Sequence, residues 1–283
     1  MTSNLLHAIH NIIQHEHFEL RTLYKGRNRT NSMGEALESY IKDAFANTLE
    51  EENVLARMQA YNLLFSWLGG TNNPPDLMMR GGDAVEVKKI QKANNPISLN
   101  SSYPKADLRT DSPMLTEDCK KCERWTRKDL IYAVGHVSDT RLHSLWLVYG
   151  HIYAAKPETY QRIKKTISAG IDAIPDVELS DTKELGRINR VDALGIASLR
   201  IRGMWQILNP RKVFDYLHQP TNHRFELVAI IPTDKYLSFP EHSRHLLEKI
   251  DRNTFKIDDV QVQNPNNLSD LIDCKLIRFY SNK

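Results

Sequence analysis

The strongest constraint on the fold lies in one short stretch, Pro75-Asp76-Leu77-Met78-Met79-Arg80-Gly81-Gly82-Asp83-Ala84-Val85-Glu86-Val87-Lys88-Lys89-Ile90. Two runs of strand-like residues flank Gly81-Gly82-Asp83, and the second sets Val85 and Val87 against Glu86 and Lys88, the alternation of a strand with one buried face. This pattern predicts a β-hairpin. Glu86 and Lys88 are two apart and share a face of their strand. Asp76 joins them only if residues pair so that their numbers sum to an even value, because a slip of one residue inverts every side chain. A three-residue connection, Gly81-Gly82-Asp83, meets that condition by placing Asp76 opposite Lys88 and Met78 opposite Glu86, whereas a two-residue Gly81-Gly82 turn puts Asp76 on the other side.

Such a face carries a specific chemistry. Metal-assisted hydrolysis of a phosphodiester needs carboxylates fixed on rigid elements to hold one or two Mg²⁺ ions, for which hard oxygen ligands are suited. A neighbouring lysine can offset the charge that develops on phosphorus or orient the attacking water. Asp76 and Glu86 are therefore the candidate metal ligands and Lys88 the candidate electrostatic catalyst. Pro-Asp, nine residues, then Glu-x-Lys is a loose pattern by itself, equally met by an edge hairpin with a solvated polar face. Lys89 points away from Glu86, and Asp83 belongs to the turn.

The surroundings favour an α/β domain. Residues 3–16 place Leu5, Leu6, Ile9, Ile12 and Ile13 at helical spacing; this helix is a candidate dimer element, with core packing as the alternative. Ser32-Met33-Gly34-Glu35 has the form of a capping box opening a helix to about Leu49 that buries Leu37, Tyr40, Ile41, Ala44 and Phe45. Glu38, one turn beyond Glu35, is a further candidate for the site or else a solvent-facing residue. Leu55–Leu68 reads as a helix or a helix followed by a short strand, Gly69–Pro75 as a loop, and residues 93–118 as a long loop. Leu130–Val137 and Ser144–Ala154 read as strands, and a helix from Pro157 turns Tyr160, Ile163 and Ile167 inward. Later strands are expected at Leu199–Leu208, Phe225–Ile231 and Cys274–Tyr280.

Composition narrows the partners. The chain has 283 residues, 41% hydrophobic and 26% charged, enough for one elaborated domain with a real core. It contains no apolar run of membrane-spanning length and opens without a signal-peptide pattern, so the reducing cytoplasm is the expected compartment. The net charge of +3 decides little, but its distribution is uneven. Between Gly186 and Lys212 there are six cations (Arg187, Arg190, Arg200, Arg202, Arg211, Lys212) against Asp192 alone. Cys119–Lys128 carries five (Lys120, Lys121, Arg124, Arg127, Lys128) against Glu123. Arg21, Lys25, Arg27 and Arg29 form a third set. Each is a solvated surface or a phosphate-binding patch; with Trp125 and Trp205 interleaved, the three together point to nucleic acid. Arg200, Arg202 and Lys212 are the candidate DNA contacts, arginine being able to pair with guanine in two hydrogen bonds. Cys119-x-x-Cys122 suggests zinc, for which Cys274, His136, His143 and His151 are the remaining candidate ligands. Gly135-His136 and Gly150-His151 sit at strand ends, where they can approach the site.

Asn73-Pro74-Pro75-Asp76 through Gly81-Gly82-Asp83 to Glu86-Val87-Lys88-Lys89-Ile90 resembles the NgoPII-like type II restriction endonucleases of the PD-(D/E)XK nuclease superfamily. Gly34-Glu35-Ala36-Leu37-Glu38-Ser39-Tyr40-Ile41-Lys42-Asp43, Asp118-Cys119-Lys120-Lys121-Cys122-Glu123-Arg124-Trp125 and Ser144-Leu145-Trp146-Leu147-Val148-Tyr149-Gly150 are similar too. The resemblance implies a PD-(D/E)XK core, a mixed central sheet flanked by helices, over about residues 31–170 of a single elaborated domain. Residues 171–283 would then supply DNA recognition and additional structure. It implies a homodimer that cuts both strands of a short GC-rich palindrome with Mg²⁺, leaving 5′-phosphate and 3′-hydroxyl ends. GGCC is the first candidate site, and a cognate DNA methyltransferase is the expected functional partner, without direct binding. Glu38 would help to place a second metal or water. Two other readings stand beside this one: a repair or recombination nuclease that recognises DNA structure, and a non-catalytic DNA-binding module with a zinc-bound cysteine pair.

Overall fold

The computed structural model describes residues 3–20, 29–70, 73–100, 102–182 and 184–283. Asn4 opens the first helix, α1 (Leu5–His15), by accepting the backbone N–H groups of Leu6 at 2.9 Å and His7 at 3.3 Å. Leu5, Leu6, Ile9, Ile12 and Ile13 are all buried, in the chain's own core, so the proposed dimer element is spent on internal packing. The helix α2 (Arg29–Ala46) starts four residues earlier than the capping box predicts, at Arg29 instead of Met33. Ser32 lies inside its first turn, where N–H groups lack helical partners and small polar residues are tolerated. Leu37, Tyr40, Ile41, Ala44 and Phe45 are buried as expected. Of the third basic set, only Arg29 falls within the described residues.

Asn53 caps α3 (Val54–Leu64), which passes directly into β1 (Phe65–Gly70), the helix-then-strand alternative. The expected loop at Gly69–Pro75 is the turn of a hairpin instead, because β2 (Asn73–Met79) pairs with β1. The ladder skips from Leu68–Leu77 to Gly70–Asn73, so both prolines and Asp76 fall in an irregular gap where a missing N–H is tolerated. β3 (Ala84–Ile90) follows as predicted. The stretch 93–118 contains β4 (Ile97–Asn100), β5 (Asp107–Arg109) and the start of α4 (Glu117–Lys121), each anchored by tertiary pairing or by the Thr116 cap that local composition does not reveal.

β6 (Arg127–Ser138) and β7 (Arg141–Tyr149) form the deeply buried centre. The helix α5 (Pro157–Asp172) is lightly packed: Ile163 and Ile167 are 40% and 43% exposed, and only Ile171 is buried, against Gly186. The basic segment folds as β8 (Glu178–Leu179), β9 (Gly186–Asn189) and β10 (Leu199–Ile201), then β11 (Trp205–Ile207) and α6 (Pro210–Val213). The single strand expected over Leu199–Leu208 is thus two, which pair with different partners. The chain ends with β12 (Phe225–Pro232), α7 (Thr233–Ser238), α8 (Glu241–Glu248), β13 (Phe255–Asn264) and β14 (Asn267–Ser281).

The main sheet runs β1-β2-β3-β6-β7-β12-β14-β13, with β5 attached to β6. It is mixed: β3 is parallel to β6 and β7 to β12, and the other pairs are antiparallel. Helices flank it, with Leu37 of α2 filling the space a side chain at Gly135 would take. No helix among the described residues is long and apolar enough to cross a membrane.

The turn between β2 and β3 is tied to the C-terminal part of the chain. Lys235 Nζ on α7 lies 2.6 Å from Asp83 Oδ1 and 2.7 Å from Asp129 Oδ2, and the Tyr149 hydroxyl donates to Asp83 at 2.7 Å. These residues line a cleft of about 1090 Å³ at the end of the strands. Lys235→Ala leaves the buried Asp83 carboxylate without its cation, and removing one partner of a buried pair is costly. The expected loss is about 3 kcal/mol of stability, measured by urea unfolding; a loss below about 0.5 kcal/mol would mean that the clamp adds nothing.

Candidate active site

The hairpin keeps the predicted face by a different register. Leu77 pairs with Val85 and Met78 with Ala84, so the connection spans Met79 to Asp83 and extending the register sets Asp76 opposite Glu86, not Lys88. The longer turn is closed by backbone bonds from Met79 to Asp83 and from Gly82 to Met79, both 3.0 Å, with Gly81 at φ 65°. It is long because its residues are held elsewhere: Asp83 by Lys235 and Tyr149, and the Gly81 N–H by Glu123 at 2.9 Å. The displacement is two residues, so parity survives and the three candidates share one face.

Past Leu77 the β2–β3 ladder ends, and the Asp76 carboxylate accepts the Val87 N–H at 2.6 Å, standing in for a strand carbonyl. Glu86 accepts from Lys88 Nζ at 2.6 Å. Burial, then the neighbouring Glu86 charge, raises the Asp76 pKa to about 7, against opposing pulls from Lys88 and the Val87 N–H. Lys88 is held above its ordinary value despite burial, by Glu86 and Asp76. Two carboxylates and one ammonium on a half-buried face leave an excess of negative charge, and oxygen donors of this kind fit a divalent cation. Among the described residues, no three His, Cys, Asp or Glu side chains form a complete metal cage by themselves.

Glu38, on α2, adds to the negative field at Asp76 and supports the charge of Lys88. Its own carboxylate is held by Lys42 at 2.5 Å, one helical turn away. Lys105 also lies within the field of Glu86, Lys88 and Asp76, in a stretch whose sequence has no motif to single it out. The aligned polar face of the hairpin was readable; a lysine delivered from a distant loop was not.

The other candidates lie elsewhere. Arg200 and Arg202 share a face as expected, but both engage Glu184, at 2.7 Å and 2.6 Å. Lys212 is exposed on α6. Cys119 is buried with its sulfur 4.0 Å from that of Met78, and burial pushes its thiol up to about 12. Cys274 is also buried, so the thiols pack as small apolar groups and the described residues supply no zinc cage. His151 joins Asp129 at 3.2 Å in the Lys235 cleft, and His136 contacts the Gln91 carbonyl at 3.2 Å.

A mixed sheet flanked by helices, with two carboxylates and a lysine gathered on one face of adjacent strands, makes this an α/β protein whose hairpin carries a compact ionisable face. The model of the NgoPII restriction endonuclease family matches residues 3–263. The chain is also 42% identical over 279 residues to the type II restriction enzyme NgoPII of Neisseria gonorrhoeae, covering 98% of this chain and 99% of that protein. The chain therefore belongs to the NgoPII restriction endonuclease family and is an enzyme of the type II restriction class. No solved structure matches it.

The Asp76 shift has a measurable sign. Between the ordinary value of 3.8 and about 7, the folded chain holds a proton that the unfolded chain has lost. Metal-free stability therefore falls as pH rises through this window and levels off above it. Asp76→Asn removes that decline, so its gain in melting temperature without metal is expected to be larger at pH 8 than at pH 5. An equal change at both values would show that Asp76 ionises normally.

Proposed function

We propose that the enzyme cuts both strands of DNA at a short GC-rich palindrome, with GGCC as the first candidate, leaving 5′-phosphate and 3′-hydroxyl ends. The observation that carries this reading is the meeting of Asp76, Glu86 and Lys88 on one face of the β2–β3 hairpin, within a chain of this family. We read residues 1–283 as one elaborated nuclease domain with a PD-(D/E)XK core at about 31–170. On this reading residues 171–283 provide DNA recognition while also completing the sheet.

Asp76 and Glu86 would hold Mg²⁺, with Glu38 helping to place a second ion or a water. When bound, Mg²⁺ supplies polarisation of the phosphoryl oxygen and a more acidic water. Asp76 is pinned by the Val87 N–H, so its carboxylate is oriented before any ligand arrives. Lys88 stays cationic beside Glu86 and offers a fixed positive charge to the phosphorus as negative charge builds there. Arg200, Arg202 and Lys212 are assigned to DNA; the two arginines would exchange or share Glu184 on binding.

A palindromic duplex has two-fold symmetry and each chain carries one copy of the site, which favours a homodimer. The cytoplasm, where a cognate methyltransferase would protect the same sites without direct contact, is the compartment this implies.

With plasmid DNA and Mg²⁺, wild-type enzyme should yield discrete fragments whose sequenced ends give the site and stagger. Glu86→Gln and Lys88→Ala should fold normally yet cut about 10²–10³-fold more slowly. Wild-type rates in either variant would exclude this hairpin as the catalytic site. Light scattering of the complex with a cognate duplex in Ca²⁺ should give two chains per duplex; one chain would replace the dimer with sequential nicking.

A further inference from the structure

Lys105 belongs to a segment built to one position. The Tyr132 hydroxyl accepts the Lys105 backbone N–H at 2.8 Å and donates to the Lys105 carbonyl at 3.1 Å, holding both polar groups of that residue. Tyr132 is buried on β6, directly paired with Glu86 on β3, so the two side chains leave the sheet on the same face. The segment is pinned from a second side by Gly150, where a Cβ would stand 2.6 Å from the Lys105 carbonyl oxygen and 2.4 Å from that of Ala106. Only a glycine at 150 lets the backbone of residues 105–106 sit this close. Pro104 and Ala106 are buried on either side, while Lys105 is only half-buried.

The side chain so delivered lies in the field of the hairpin's charged groups, with the Cys119 thiol also near. Burial lowers the Lys105 pKa, with Lys88 acting in the same sense, while Glu86 and Asp76 favour its positive charge. Lys88 is already committed to Glu86 at 2.6 Å, whereas no carboxylate pairs with Lys105 among the described contacts. A phosphodiester entering the face of Asp76 and Glu86 adds negative charge to carboxylates that already repel it, and a second, uncommitted cation answers that need.

We propose that Lys105 is a second catalytic lysine, whose ammonium contacts a non-bridging oxygen of the phosphate being cut, and that Tyr132 and Gly150 act as its positioning residues. The proposal rests on the assignment of Asp76, Glu86 and Lys88 as the active site. It adds a group from the β4–β5 connection to a site otherwise built on the β2–β3 hairpin and Glu38 of α2.

Single-turnover cleavage of a duplex carrying the mapped site tests it, with binding followed by fluorescence anisotropy in Ca²⁺. Lys105→Met should cut about a hundredfold more slowly, with Lys105→Arg recovering a measurable part of the loss. Replacing the scissile phosphate by a neutral methylphosphonate should weaken wild-type binding about tenfold and Lys105→Met binding by less than about threefold. A merely structural lysine would not alter that discrimination. Tyr132→Phe should slow cleavage while leaving Lys105 able to discriminate in part. If Lys105→Met cuts like wild type while Glu86→Gln is inactive, the role of Lys105 is overturned and the hairpin site stands. If both cut like wild type, the site assignment itself fails. Slow cleavage by Lys105→Met with full wild-type discrimination also overturns the contact with phosphate.

Discussion

Two carboxylates on one half-buried strand face cannot both ionise comfortably, and much of the surrounding structure is arranged around that conflict. Glu86 resolves its share by pairing with Lys88. Asp76 receives a backbone N–H, yet burial and Glu86 still hold it reluctant to lose its proton. On the proposed reading, a cation bound between them would relieve that repulsion as well as form bonds. The hairpin's rigidity matters for the same reason. If β2 and β3 could splay further, the carboxylates would separate and the conflict would vanish.

That rigidity comes from both ends of the hairpin. At one end, the irregular β1–β2 ladder places the Pro74-Pro75-Asp76 segment beside Trp67, whose indole N–H donates to the Pro75 carbonyl at 3.1 Å. At the other, Lys128 is buried under the turn and donates to the Met79 and Gly82 carbonyls at 3.1 Å and 2.6 Å. Lys128 counts toward a basic cluster in the sequence, but in the fold it is a structural cation paired with Glu123. Local excess of positive charge is therefore an unreliable guide to a phosphate-binding surface.

The hairpin and its shared face were legible because both depend on parity, a property of sequence spacing alone. Its register was not, since the turn length is set by partners at Glu123, Tyr149 and Lys235, which only the tertiary fold brings near. Buried helical spacing was equally clear in α1 and α2 but misled in α5. There the same spacing of Ile163 and Ile167 faces solvent, because only the end of that helix reaches the core. The short strands β4 and β5 escaped notice for a related reason. Each contains three or four residues whose conformation is decided by a remote partner strand rather than by their own composition.

The Lys235 clamp bears on how relatives of this enzyme can diverge. An exchange of the later part of the chain between relatives does not leave the hairpin untouched. Here α7 supplies the cation that steadies the turn between the two acid-bearing strands, so an exchange beginning anywhere before residue 235 removes that cation unless the incoming segment restores a lysine at the same place. The acid-bearing hairpin and α7 are thus inherited together. Chimeras joined after α7 keep the clamp intact, and those joined before it must rebuild the ion pair to hold the turn.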